Sequence, residues 1–182
     1  MIKALRFVLF GLSLLFVSCA LDAEKGKTTK SPIHEQKVVK TTAYTASEAG
    51  ARCYCAKNAI GSNLQSGAVN SAAADWSHFP IGTKFRIVDI GKTYVVDDYG
   101  SALIGTDTID LYVPSRRMMD QWGARRVTIE VLEFGSYQKS LEVLKPRQAN
   151  WCAKQMVKNI PKANRYRVLA RYAKRNGNFV LV

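Results

Sequence analysis

Three short segments of this 182-residue chain carry carboxylates where acid–base chemistry could be done. The first is Ala72-Ala73-Ala74-Asp75, just before Pro80-Ile81-Gly82-Thr83. The second runs Val95-Val96-Asp97-Asp98-Tyr99-Gly100-Ser101-Ala102-Leu103-Ile104-Gly105. The third is Thr108-Ile109-Asp110-Leu111-Tyr112. In a strand, alternate side chains face opposite sides. Ile109, Leu111 and Val113 then face a core, while Thr108, Asp110 and Tyr112 face outward together. A carboxyl between a hydroxyl and an aromatic ring suits a sugar-binding groove. By the same alternation Tyr94, Val96 and Asp98 share one side, with Asp98 where the strand enters a glycine-containing turn that lets a ligand approach the backbone. Like charges held close together raise the pKa of one member. That keeps an acid protonated near neutral pH, as glycosidic cleavage needs. Taken singly, each aspartate also fits a turn former or a surface residue; the combination carries the chemistry.

Short strands must position these groups. Gln36 to Tyr44 alternates and is β-branched, and reads as a first strand. Thr45 to Gly67 is a loop rich in Ala, Gly, Ser and Asn, long enough to be functional. Strands follow at Ala68 to Ala74, Lys84 to Asp89, Thr93 to Asp97 and Thr108 to Val113. Pro114 suits the first residue of a helix running to about Trp122, and Gly123 stops it. Arg126 to Phe134 is a closing strand with Val127, Ile129 and Val131 on one face. Many short strands, close turns and one short helix predict a mainly-β sandwich or barrel over 36–135, of a size whose interior side chains can fill.

The segments together resemble the 3D (three-aspartate) domain family, a six-stranded double-psi β-barrel related to membrane-bound lytic transglycosylase A. The resemblance runs from about Thr42 to Leu132. It rests on Thr42-Ala43-Tyr44, the Pro-Ile-Gly-Thr turn, Asp98-Tyr99-Gly100-Ser101-Ala102-Leu103-Ile104-Gly105, the Ile-Asp-Leu-Tyr strand, and Trp122-Gly123-Ala124-Arg125-Arg126-Val127. The family's three aspartates fall on Asp75, Asp98 and Asp110. The stretch between Gly105 and Asp110 is one residue longer than the usual pattern and brings in Asp107. The resemblance implies cleavage of the β-1,4 bond between N-acetylmuramic acid and N-acetylglucosamine without water, closing a 1,6-anhydro ring. Asp110 is implied as the acid and then the base. Asp98 and Asp75 are implied to shape the groove and tune it. Tyr44, Tyr99, Gly100, Thr108 and Tyr112 are the candidates for substrate contact. One residue serving as acid and then base is ordinary proton-transfer catalysis, so no second carboxylate at hydrolase spacing is required. A glycan-binding module without catalysis on the same barrel is the alternative, since a fold does not dictate activity.

The flanking segments read differently. Lys3 and Arg6 precede an uncharged run from Phe7 to Val17, too short to span a bilayer and of signal-peptide length. It ends in Leu15-Phe16-Val17-Ser18-Cys19, which resembles a bacterial lipobox. Residues 1–18 are thus expected to be a lipoprotein signal peptide, Cys19 the lipidated residue, and residues 19–35 a flexible tether. The expected location is the cell envelope, lipid-anchored and facing the periplasm or exterior, with the outer membrane compatible with Ala20.

The chain holds 27 basic and 14 acidic residues, but the surplus is local: Tyr137 to Val182 carries 11 Lys/Arg against Glu142 alone. Residues 136–182 form a basic, helical extension, with helices expected at Tyr137 to Leu144, Ala149 to Asn159 and, beyond an interruption at Pro161, Ala163 to Arg175. Such a tail favours anionic wall or lipid surfaces. The predicted partners are peptidoglycan glycan strands and, through the anchor, a membrane. Nucleic acid is not expected, because basic residues are not interleaved with aromatics within the barrel. No cofactor is implied. Cys53, Cys55, His34 and His78 lack ligand spacing, so no metal site is expected. Cys53, Cys55 and Cys152 permit three disulfide pairings, and the spacing does not choose among them.

Overall fold

The structure is a computed structural model that describes residues 35–47 and 56–175, with side chains as far as residue 167. The expectations for residues 1–34, Cys19 among them, and for Cys53 and Cys55 lie outside the described residues. Six strands form the frame: β1 (Glu35–Tyr44), β2 (Asn70–Ala73), β3 (Lys84–Ile87), β4 (Thr93–Asp98), β5 (Ile109–Tyr112) and β6 (Arg125–Glu133). They close into a barrel in the order β1-β5-β2-β4-β3-β6. The β1/β5 and β2/β4 pairs are parallel and the other four antiparallel. This is the mainly-β, six-stranded barrel expected from the sequence.

Period-two patterning fills the interior. Val39 and Thr41 of β1, Phe85 and Ile87 of β3, Tyr94 and Val96 of β4, Ile109 and Leu111 of β5, and Val127, Ile129 and Val131 of β6 are all buried. Phe85 and Tyr94 stack with ring centroids 5.6 Å apart. Closure gives each of the six strands a neighbour on both sides, so none of them is an edge strand.

The Pro80–Thr83 turn is locked from two sides. Gly82 adopts φ +83°, and the Thr83 hydroxyl donates to Pro80 O at 2.6 Å. Gly135, just after β6, presses against this turn; a Cβ there would stand 2.2 Å from Ile81 O and 2.3 Å from Pro80 O. Only glycine permits that approach.

Helix α1 (Arg116–Trp122) begins two residues later than expected. Ser115, not Pro114, sits at its start and accepts a hydrogen bond from the Met118 amide at 3.3 Å. A serine side chain can satisfy a free N-terminal amide and proline cannot. Gly123 ends the helix at φ +61°.

In the basic extension, α2 (Tyr137–Leu144) is followed by a 3-10 turn and then by α3 (Trp151–Arg175), which runs unbroken through Pro161. The expected interruption does not occur. Cys152, Ala153, Met156 and Ile160 are buried with Leu144 in the core cluster, which fixes the turns before Pro161. The proline lacks the amide for one helical hydrogen bond, yet the helix continues through it. Among the described residues no helix is both long and apolar enough to cross a membrane.

Candidate functional site

Strand β2 organises the carboxylates. Ala73 is paired with Asp98 on one side and with Asp110 on the other. Residues directly opposed in a sheet point to the same face. Thr42 is opposite Asp110 and Tyr44 opposite Tyr112. Thr42, Tyr44, Ala73, Asp98, Asp110 and Tyr112 therefore share the outer face of the barrel, while their neighbours Leu111, Ala72 and Val96 fill its core.

Asp98 reaches this face through a β-bulge. In β4, Val96 pairs with Ala72 but Asp98, not Asp97, pairs with Ala73. Asp97 is the extra residue. Simple alternation put Tyr94, Val96 and Asp98 on one side; the structure corrects this. Tyr94 and Val96 are buried in the core, and the bulge turns Asp98 to the opposite side, as one inserted residue must.

Each carboxyl has its own hydroxyl. The Thr42 hydroxyl donates to Asp110 Oδ1 at 2.7 Å. The Tyr44 hydroxyl donates to Asp98 Oδ2 at 3.2 Å, and the Tyr99 amide donates to Asp98 Oδ1 at 2.9 Å. Burial pushes the Asp98 pKa up to about 6, against the pull of the Tyr99 and Tyr44 hydrogen bonds and with help from the charge of Asp97. Burial, then the charges of Asp98 and Asp97, hold the Tyr44 phenol far above its ordinary range, so it stays a proton donor. The Tyr44 and Tyr112 rings lie 5.6 Å apart, tilted by 60°. The site thus offers two carboxyls, one of them with its pKa raised toward neutrality, beside two aromatic faces.

The remaining sequence-derived candidates divide. Tyr99 packs edge-on against Trp76 with centroids 5.1 Å apart, and the Trp76 indole donates to the Asp98 carbonyl at 2.8 Å. Gly100 precedes the 3-10 turn Ser101–Leu103 with an extended φ of −136°, so no left-handed conformation requires glycine there. The Thr108 amide donates to the Thr106 hydroxyl at 3.1 Å. These contacts tie Gly100 and Thr108 to the connection between β4 and β5 rather than to the carboxyls.

Asp75 is fully buried. Its Oδ1 accepts from the Ser77 amide and hydroxyl, both at 2.8 Å, and its Oδ2 accepts from the Gly105 amide at 2.7 Å. It is a clamp between the segment after β2 and the connection that carries Tyr99. Asp107 lies apart from the Asp98 and Tyr44 contacts, bound to His78 at 2.7 Å and Lys37 at 3.2 Å. Partial burial pulls its pKa upward, but the His78 hydrogen bond and the Lys37 charge prevail and lower it.

Sequence reasoning did not pick out Thr42, Ala73 or Asp97 as site residues. Thr42 could have been found, because it alternates with Tyr44 on the same strand. Asp97 could not, because nothing in Val95-Val96-Asp97-Asp98 marks a bulge.

The comparisons with known proteins bear on this region. The 3D domain family model matches residues 70–133, from the first residue of β2 to the last of β6. Among solved structures, the crystal structure of MltA from E. coli is similar at 23% identity over 43% of this chain, with a TM-score of 0.34. The match spans 27% of that protein's chain. Comparison with curated proteins finds no match. The aspartate positions, the bulged β4 and the closing β6 all fall in the span, residues 70–133, that matches the 3D domain family model.

Proposed function

We propose that this barrel binds peptidoglycan glycan strands and acts as a lytic transglycosylase in cell-wall remodelling. The observation that carries the reading is the pair of carboxyls, Asp98 and Asp110, flanking Ala73 on one face beside the Tyr44 and Tyr112 rings. Aromatic faces hold sugar rings, and carboxyls of matched protonation cleave between them.

In this reading Asp110 protonates the glycosidic oxygen as the bond from C1 of the muramic residue breaks. The C6 hydroxyl of the same residue attacks C1, and its proton returns to Asp110. One bond breaks, one forms, and the carboxyl regains its proton, so no water is consumed. The Thr42 hydroxyl donates to Oδ1 of Asp110 and so orients the carboxyl. Asp98 shapes the groove and binds sugar hydroxyls. Tyr44, Tyr99 and Tyr112 contact sugar, Gly100 and Thr108 border the groove, and Asp75 acts indirectly by fixing the Tyr99 connection. We further propose that Cys19 carries a lipid that holds the chain in the cell envelope, facing the periplasm or exterior, and that the basic extension meets anionic surfaces there.

The test incubates the chain with purified peptidoglycan, alongside Asp110→Asn. Wild type should release 1,6-anhydro-muropeptides, seen by mass spectrometry, and the variant should lose at least about 100-fold of that activity. A second reading, glycan binding without cleavage, is favoured by the tyrosine pair, which suits holding a sugar as well as cutting it. It becomes the better one if neither protein releases product while both sediment with the wall.

A further inference from the structure

We propose that Asp97 is a positioning residue of this site: as the extra residue of the β4 bulge, its buried carboxyl pegs the 56–65 loop to the barrel and turns Asp98 outward onto Tyr44. The inference rests on the reading of the Asp98–Asp110 face as the functional groove and adds to it a residue outside the three family aspartates.

Three observations carry it. The first is register. Were β4 regular, with Asp97 paired in the ladder instead of bulged, Asp98 would follow Tyr94 and Val96 into the apolar core, where a carboxylate is strongly disfavoured. The second is the way the bulge is held. Asp97 is 6% exposed, and its Oδ2 accepts from the Ser71 hydroxyl at 2.6 Å and from the Asn58 side-chain amide at 2.9 Å. Burial pushes its pKa up, while Ser71, Asn58 and the backbone amides of Ala72 and Asp97 itself favour the charged form. A buried carboxyl engaged by this many donors fixes the segments that carry them.

The third is what Asn58 does at its other end. Asn58 Oδ1 accepts from the Ile60 amide at 3.2 Å and the Ser62 amide at 2.9 Å. Ser71, the other partner of Asp97, accepts from the Gln65 amide at 2.9 Å. One carboxyl oxygen therefore gathers both ends of the loop. The loop in turn presents the Ala59 amide to the Asp98 carboxyl, where it favours the charged form. On the far side, Arg147 donates to the Ala59 carbonyl.

Asp97 thus acts on Asp98 in two opposed ways. Its charge raises the Asp98 pKa, and the loop it anchors lowers it. Among the described residues the other ionisable groups on this face are Tyr44 of β1 and Asp110 and Tyr112 of β5, and they are left unchanged in the test.

The two actions can be separated in the full chain without any substrate. Asp97→Asn keeps an acceptor for Ser71 and Asn58 and removes the charge. Asn58→Ala keeps the charge and removes the peg. Carbon-detected NMR follows the Asp98 carboxyl through a pH titration, and amide exchange is read at Ile60 and Ser62. Asp97→Asn should lower the Asp98 midpoint by about half a pH unit and leave exchange slow. Asn58→Ala should raise the midpoint and speed exchange at both amides at least about tenfold. An unchanged midpoint in both variants would overturn the proposal, as would loop exchange that stays slow in Asn58→Ala. Because neither readout involves cleavage, absence of anhydro products would remove the proposed reaction and leave this positioning role standing.

Discussion

The hydroxyl of Tyr44 on β1 reaches Asp98 at the end of β4, at 3.2 Å, across two intervening strands. At the level of Asp98, β2 presents the methyl of Ala73 and β5 presents Asp110, while Tyr112 lies opposite Tyr44. A small residue on a central strand therefore lets an aromatic from one side close over a carboxyl on the other. The bond joins a donor whose proton is held tightly to an acceptor whose pKa is raised, and pH dependence follows from it.

Asp98 titrates near 6 in the fold, against 3.8 ordinarily. The stability this group contributes is complete below about pH 4 and is lost as pH rises through 6, because the folded state resists ionisation. Asp98→Asn cannot ionise. It should be more stable than wild type at pH 8, by about 1–3 kcal/mol, with the advantage shrinking toward pH 4. Urea unfolding at the two pH values measures this. An equal gap at both would show that the substitution acts through packing rather than charge.

Tyr44→Phe removes a hydrogen bond that lowers the Asp98 pKa. The carboxyl should then titrate above 6, which moves the acidic limb of any pH–rate profile upward. The Tyr44–Tyr112 ring contact survives the change, so sugar affinity should fall less than about threefold while the profile shifts. A loss of binding with an unmoved profile would instead make the hydroxyl a ligand contact.

The sequence made the barrel legible through period-two burial. Ile109, Leu111 and Val113 inward with Asp110 and Tyr112 outward is what the structure has, because β5 is regular. Strand β4 was misread at the one step where regularity fails. A bulge is set by pairing with a distant strand and by side chains such as Ser71 and Asn58, not by local residue type. Asp75 shows a related limit. Its place among the aspartates was visible, but its complete burial depends on Ser77 and Gly105 meeting it from two segments. Pro161 misled in the other direction, since a local breaking signal gave way to packing of Met156 and Ile160 on the core.

Gly135 offers a test of the frame that positions the site. Its missing side chain faces backbone atoms of Pro80, Ile81 and Thr83, and backbone cannot rotate away as a side chain can. Gly135→Ala should destabilise the barrel by about 3 kcal/mol or more. Gly67, with open space around it, is the control, and its change to Ala should move the unfolding midpoint very little. Thermal melts of the two variants decide the matter, and near-equal midpoints would refute the contact.

Asp75 and Asp107 should separate a structural carboxyl from a superficial one. Asp75→Ala leaves the Ser77 amide, the Ser77 hydroxyl and the Gly105 amide without their shared acceptor in a buried place. Unsatisfied buried donors cost about 1–3 kcal/mol each, so a loss of at least about 3 kcal/mol is expected. Asp107 is exposed and its partners Lys37 and His78 are partly in solvent. Exposed ion pairs contribute about 0–1 kcal/mol, so Asp107→Ala should change stability by less than that and leave any cleavage activity intact. Chemical denaturation and product release on the same two variants test both halves. If Asp107→Ala abolished activity while Asp110→Asn did not, the assignment of Asp110 would fail, and the extra residue between Gly105 and Asp110 would have moved the acid to Asp107.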